Sequence, residues 1–168
     1  MVTSNREKVR IGYLSTESPE APCTYLRLAM PLRYLQKRGD LTVVDCGPLD
    51  TNVVRINVDN VRHADVIVVQ RSVMNLLSYR DLRIICGRRK PTIIVDLDDA
   101  LTMVPKTNPH YDELRNIGKR LEEYLRKADV VTVATKALYT LYRHMNRNIV
   151  VLPNSVDTRL WRQPVERE

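Results

Sequence analysis

Short runs of β-branched and aliphatic residues alternate along this chain with stretches whose apolar residues recur at helical spacing, and few folds accept that alternation. The clearest run, T-I-I-V at 92–95, has no polar face of its own, which suits a strand covered on both sides in a parallel sheet. Comparable runs stand at 9–14, 41–44, 64–69, 128–133 and 148–152, and a weaker one, V-V-R-I-N-V, at 53–58. A-D-V-I-V-V at 64–69 and A-D-V-V-T-V at 128–133 share one local design: Ala packs closely, Asp holds the turn, and a β-branched run enters the sheet.

Between the runs lie amphipathic stretches. Thr24 is placed to cap a helix that carries Tyr25, Leu28, Ala29, Leu32 and Leu35 on one stripe and ends at Gly39, with Pro31 kinking it or shifting its start. A helix is expected over 75–86, stopped by Gly87. Asn108-Pro109 offers an N-cap with proline at the first helical position, and Leu114, Ile117, Leu121, Tyr124 and Leu125 supply the stripe that follows. Thr135 can cap a last helix with Leu138, Leu141, Tyr142 and Met145 inward. The expected fold is α/β: a Rossmann-like three-layer sandwich around a mostly parallel sheet of about six or seven strands joined by right-handed crossovers. Residues 1–155 should form this domain, and 156–168 the start of a linker.

At 168 residues the chain can close one core, and 43% hydrophobic with 28% charged residues places it among globular proteins. It has no Phe, so tyrosine and the branched aliphatics must fill the interior. No apolar run approaches a membrane span and M-V-T-S-N-R-E-K has no signal-peptide core, which implies a cytoplasmic protein. Cys23, Cys46 and Cys86 are far apart, and no ligand-spaced histidines accompany them; reduced structural thiols are expected and a metal site is not. The net charge of +7 points to an anionic partner. No helix-turn-helix, zinc finger or aromatic RNA-binding motif appears, so nucleic acid is not expected, and an anionic membrane surface or a phosphate-bearing substrate fits the charge.

Acids gather where the 92–95 strand should stop: Asp96, Asp98 and Asp99 in D-L-D-D-A-L. Open α/β sheets bind ligands outside the carboxyl ends of their strands. On that edge this chain would also set Ser15, Thr16 and Glu17, then Gln70, Arg71 and Ser72, then Thr135 and Lys136, then Asn154 and Ser155. The loop after the first strand, S-T-E-S-P-E-A-P, lacks the glycines a dinucleotide needs, and there is neither a P-loop nor G-x-S-x-G. D-L-D-D-A-L resembles the D-x-D motif of haloacid dehalogenase-like phosphatases, whose carboxylates serve as nucleophile, acid and magnesium ligand. In that family the motif lies on the first strand and its usual Thr or Val is here Ala100, with only a short stretch left for the catalytic lysine and second acidic pair.

A-D-V-I-V-V-Q-R-S, then K-P-T-I-I-V-D-L-D-D-A-L with P-K-T-N-P, then K-A-D-V-V-T-V-A-T-K-A-L, then I-V-V-L-P-N-S-V-D and Trp161, taken in this order, resemble the N-terminal domain of GT-B glycosyltransferases. The nearer likeness is to family 4-type bacterial enzymes that build surface polysaccharides. That resemblance implies an acceptor-binding half of a transferase, inactive alone, that passes sugar to a glycan or lipid-linked acceptor. The nucleotide-sugar donor would sit on a C-terminal domain supplied in cis or in trans, with no metal or cofactor in this half. It also implies a location in the cytoplasm, peripheral to the inner face of the membrane. By motif match Asp96, Asp98 and Asp99 are the candidate catalytic residues and Arg27, Arg71, Thr135 and Asn154 the candidate acceptor-binding ones. Many relatives carry Gly-Gly after the first strand and a histidine after the strand at 92–95; here P-E-A-P-C-T and Asp96 to Asp99 stand there. A non-catalytic Rossmann-like binding module is the alternative reading.

Overall fold

The computed structural model describes residues 8–47, 56–156 and 158. Six strands, β1 (Val9–Leu14), β2 (Leu41–Asp45), β3 (Val66–Gln70), β4 (Thr92–Leu97), β5 (Val130–Val133) and β6 (Ile149–Val151), lie parallel in one sheet. Their order is β2-β1-β3-β4-β5-β6. The chain leaves β1 toward one side and β3 toward the other, so the loops after β1 and β3 part and open a crevice between them.

Helices α1 (Pro22–Thr24) and α2 (Met30–Arg38) are joined by a π-helical turn, Tyr25–Ala29. Leu28 and Leu32 from this segment pack on Leu41 and Val68, with Ile11, Tyr13, Val43 and Ile94 beside them. The opposite face carries α3 (Val58–His63), α4 (Tyr79–Cys86), α5 (Tyr111–Lys127) and α6 (Lys136–Tyr142), which close the larger core. The result is the expected three-layer Rossmann-like sandwich. Tyrosine does replace phenylalanine inside: Tyr124 and Tyr142 are fully buried, and the Tyr124 hydroxyl donates to the Leu77 carbonyl at 2.9 Å.

The two A-D-V segments fold alike. The Asp65 carboxylate accepts the Arg10 N–H at 2.8 Å and the Asp129 carboxylate accepts the Ile93 N–H at 2.7 Å, so each satisfies a backbone donor at the start of the neighbouring strand. Two glycines mark close approaches. A Cβ on Gly12 would stand 2.3 Å from Cys46 Sγ, and one on Gly118 would stand 3.0 Å from the Leu101 carbonyl oxygen, which brings α5 against the turn that follows β4.

Four expected elements differ. Thr24 does not cap the first helix, which starts at Pro22 with Ala21 at its N-cap; the Thr24 hydroxyl is turned into the core instead. The expected helix over 75–86 is a 3-10 turn, Arg71–Asn75, followed by α4, which Ser78 caps by accepting the Asp81 N–H. α5 starts at Tyr111, not at Pro109; Asn108 accepts the His110 N–H at 2.8 Å and forms the turn before the helix. Of the weak strand at 53–58, Ile56 and Asn57 have no regular structure, Val58 opens α3, and 53–55 lie outside the described residues. Thr135 does cap α6, accepting the Leu138 N–H at 3.2 Å, and Gly39 does close α2.

Candidate functional site

The carboxyl edge is built in register. Gln70, Asp96 and Thr132 are successive partners across β3, β4 and β5, so their side chains point to the same face, toward the π turn that carries Arg27. Pro31 has no N–H to give the carbonyl four residues earlier, and the helix meets this with a π turn in which the Met30 N–H reaches Tyr25. Arg27 lies inside that turn and is buried.

Its guanidinium grips Asp96 with both prongs: Nε donates to Oδ2 at 3.0 Å and Nη2 to Oδ1 at 2.5 Å. Thr132 Oγ1 donates to the same Oδ1 at 2.6 Å. Nη1 donates to the Leu152 carbonyl at 2.5 Å and to Asn154 Oδ1 at 2.9 Å. With side chains 2% and 3% exposed, Arg27 and Asp96 neutralise each other inside the protein. One helix, the middle strand β4 and the segment after β6 are thereby tied at a single point.

A second buried cluster fills the crevice between β1 and β3. Ser15 Oγ lies 2.9 Å from Thr24 Oγ1 and donates to Gln70 Oε1 at 2.8 Å, and Thr24 Oγ1 reaches the same oxygen at 3.0 Å. The Glu17 N–H donates to Ser15 Oγ at 3.1 Å, which draws the loop after β1 over the cluster.

No known protein-family model matches this chain, and no curated protein matches it in sequence.

Arg27, Asp96 and Asn154, all candidate site residues in the sequence, are joined through the Arg27 guanidinium. β4 runs two residues further than the run of aliphatics suggested, so Asp96 is a strand residue and only Asp98 and Asp99 lie beyond the strand, Asp98 half-buried and Asp99 exposed. Thr135 is exposed beside them on the same edge, with its hydroxyl engaged as the α6 cap. Arg71 opens the 3-10 turn after β3; its side chain, like Trp161, lies outside the described residues. Among the described residues no group of three His, Cys, Asp or Glu is placed to hold a metal ion. Cys46 and Cys86 are buried and Cys23 half-buried, none of them in a disulfide, and burial pushes the Cys86 thiol up.

Sequence reading passes over Thr132, and it places Ser15 and Gln70 on the edge and Thr24 at a cap without joining the three. A signal existed for Thr132, since strand alternation sets it opposite Val131 and Val133 on the face shared with Asp96.

Proposed function

We propose that this chain is the acceptor-binding half of a glycosyltransferase, one that receives a sugar from a nucleotide-sugar donor held on another domain and passes it to a glycan or lipid-linked acceptor. The observation that carries the reading is the convergence of polar residues from five strand ends on one edge: Ser15, Gln70, Asp96 with Asp98 and Asp99, Thr135 and Asn154. The resemblance of the ordered motifs to GT-B N-terminal domains supports it, as does the Rossmann-like sheet on which those motifs lie.

Within this reading the residues divide by burial. Asp96 and Arg27 hold the scaffold, and Asp98 and Asp99, half-buried and exposed, are the carboxylates that orient sugar hydroxyls by accepting hydrogen bonds from them. Asp96 is the position a phosphatase of the D-x-D type would need as its nucleophile; bound twice by Arg27 and once by Thr132, it is withdrawn from that chemistry.

Two titrations test the proposal. On a glycan array the chain should bind a restricted set of oligosaccharides, and Asp98→Asn with Asp99→Asn should weaken that binding at least about tenfold, the loss of one or two strong hydrogen bonds. Calorimetry with common nucleotide sugars should give no stoichiometric heat. Tight nucleotide-sugar binding by this chain would assign it to the donor side or to another family.

A further inference from the structure

A cleft of about 280 Å³ lies between α5 and the turn after β4, outside the buried clusters described above. Tyr111, Arg115, Lys119 and Glu122 follow one another at intervals of three or four residues, so they share one face of α5, and Thr102 and Val104 form the opposite wall. Gly118 also lines it, and the missing side chain there lets the Leu101 carbonyl settle onto the helix. Its far wall is pinned: both the N–H and the hydroxyl of Thr102 reach the Tyr142 hydroxyl, at 3.5 and 3.2 Å, and Tyr142 is fully buried.

Arg115 and Lys119 are like charges one helical turn apart, a spacing that costs stability unless something negative stands between them. Among the described residues neither makes an ion pair. A planar fork and a compact ammonium over a pocket edged by tyrosine and threonine hydroxyls suit a tetrahedral oxyanion that also carries a small hydroxylated body. The volume is enough for one monosaccharide-sized unit.

We infer that this cleft is a binding site for a phosphorylated sugar-sized ligand, its phosphate on Arg115 and Lys119 and its body against Tyr111, Thr102 and Val104. The site stands on its own residues and does not depend on the glycan reading of the Asp98–Asp99 loop.

Amide NMR of the whole chain, at fixed ionic strength, tests it with four probes: glucose 1-phosphate, inorganic phosphate, glucuronate and glucose. Saturable shifts at Leu101–Val104 and Arg115–Glu122 with glucose 1-phosphate, at least tenfold weaker in Arg115→Ala/Lys119→Ala, are expected. Both positions are exposed, and unchanged signals elsewhere in the spectrum will show that the double variant is folded. Weaker binding of inorganic phosphate than of glucose 1-phosphate supports a phosphorylated body as the ligand. Inorganic phosphate or glucuronate binding as tightly as glucose 1-phosphate would overturn that assignment, as would equal shifts with glucose, shifts centred elsewhere, or shifts that survive the double substitution.

Discussion

Arg27 gives all three of its guanidinium nitrogens to partners inside the protein, and this decides what its removal does. Breaking a buried ion pair from one side leaves an uncompensated charge, so Arg27→Ala or Asp96→Ala should cost about 3–5 kcal/mol, a large share of the roughly 5–15 kcal/mol that holds a domain of this size. Arg27→Met combined with Asp96→Leu should cost less than either single change, because no charge is then stranded. Urea denaturation measures all three; single substitutions worth under about 1 kcal/mol would mean that the pair behaves as a surface contact. The pair was not legible in the sequence. Arg27 and Asp96 are 69 positions apart, and the apolar neighbours of Arg27 in Y-L-R-L-A were the only hint that it would be buried.

At the scale of elements, β1 meets β2 through Gly12, and α4 meets α5 through two tyrosines. A methyl at Gly12 would collide with Cys46 Sγ and crowd Ile67 and Val44, so Gly12→Ala should cost about 1–3 kcal/mol and be partly relieved when Cys46→Ala is added. The Tyr79 and Tyr124 rings meet edge to face at 5.3 Å. Burial raises both phenols above their ordinary 10.0, Tyr124 the more strongly, while Arg83 pulls Tyr79 partly back. A phenol kept neutral in the fold to higher pH than in the unfolded chain stabilises fully below its unfolded value and loses that contribution as pH rises through the folded one. Urea midpoints should therefore fall above about pH 10, with a slope near 1.4 kcal/mol per pH unit for a group such as Tyr124. Tyr124→Phe should cost about 1 kcal/mol at neutral pH, through the hydrogen bond lost to Leu77, and flatten the alkaline fall. Elements were the most legible scale: aliphatic runs marked all six strands, since burial on both faces leaves a continuous apolar signature. Helix starts were less so. Thr24 and Asn108 have the residue types of caps, yet Thr24 bonds to Ser15 and Gln70 across the fold and Asn108 shapes a turn one step early.

In the whole molecule, the parallel architecture gathers basic residues along one edge of the sheet. Helices run back against the strands, so their carboxyl ends meet the amino edge of the sheet, and there the last turns carry Lys37, Arg38, Arg62, His63, Arg83, Arg126 and Lys127, with Arg88 and Arg89 beside β4. Asp40, Asp65 and Asp129 pair with Arg38, Arg89 and Arg83 on that same edge, while Asp96, Asp98 and Asp99 are on the other. If the proposed transferase works on a lipid-linked acceptor, this basic edge gives it a hold on anionic lipid, each residue worth about 1 kcal/mol near such a surface. Among the described residues no helix is long and apolar enough to cross a membrane. Co-sedimentation with anionic vesicles at low salt, lost at high salt and weakened by Arg88→Gln/Arg89→Gln, is the expected outcome; equal partitioning onto neutral vesicles would remove this role for the +7 charge. The same division of edges frames the decisive measurement, which is where a bound glycan sits. With an oligosaccharide selected on the array, amide shifts should saturate and fall on Ser15–Glu17, Asp98–Ala100, Thr135 and Asn154–Ser155, at the carboxyl edge. Shifts confined to the amino edge, or no saturable binding by any oligosaccharide, would contradict the assignment of this chain as the acceptor-binding half of a sugar transferase.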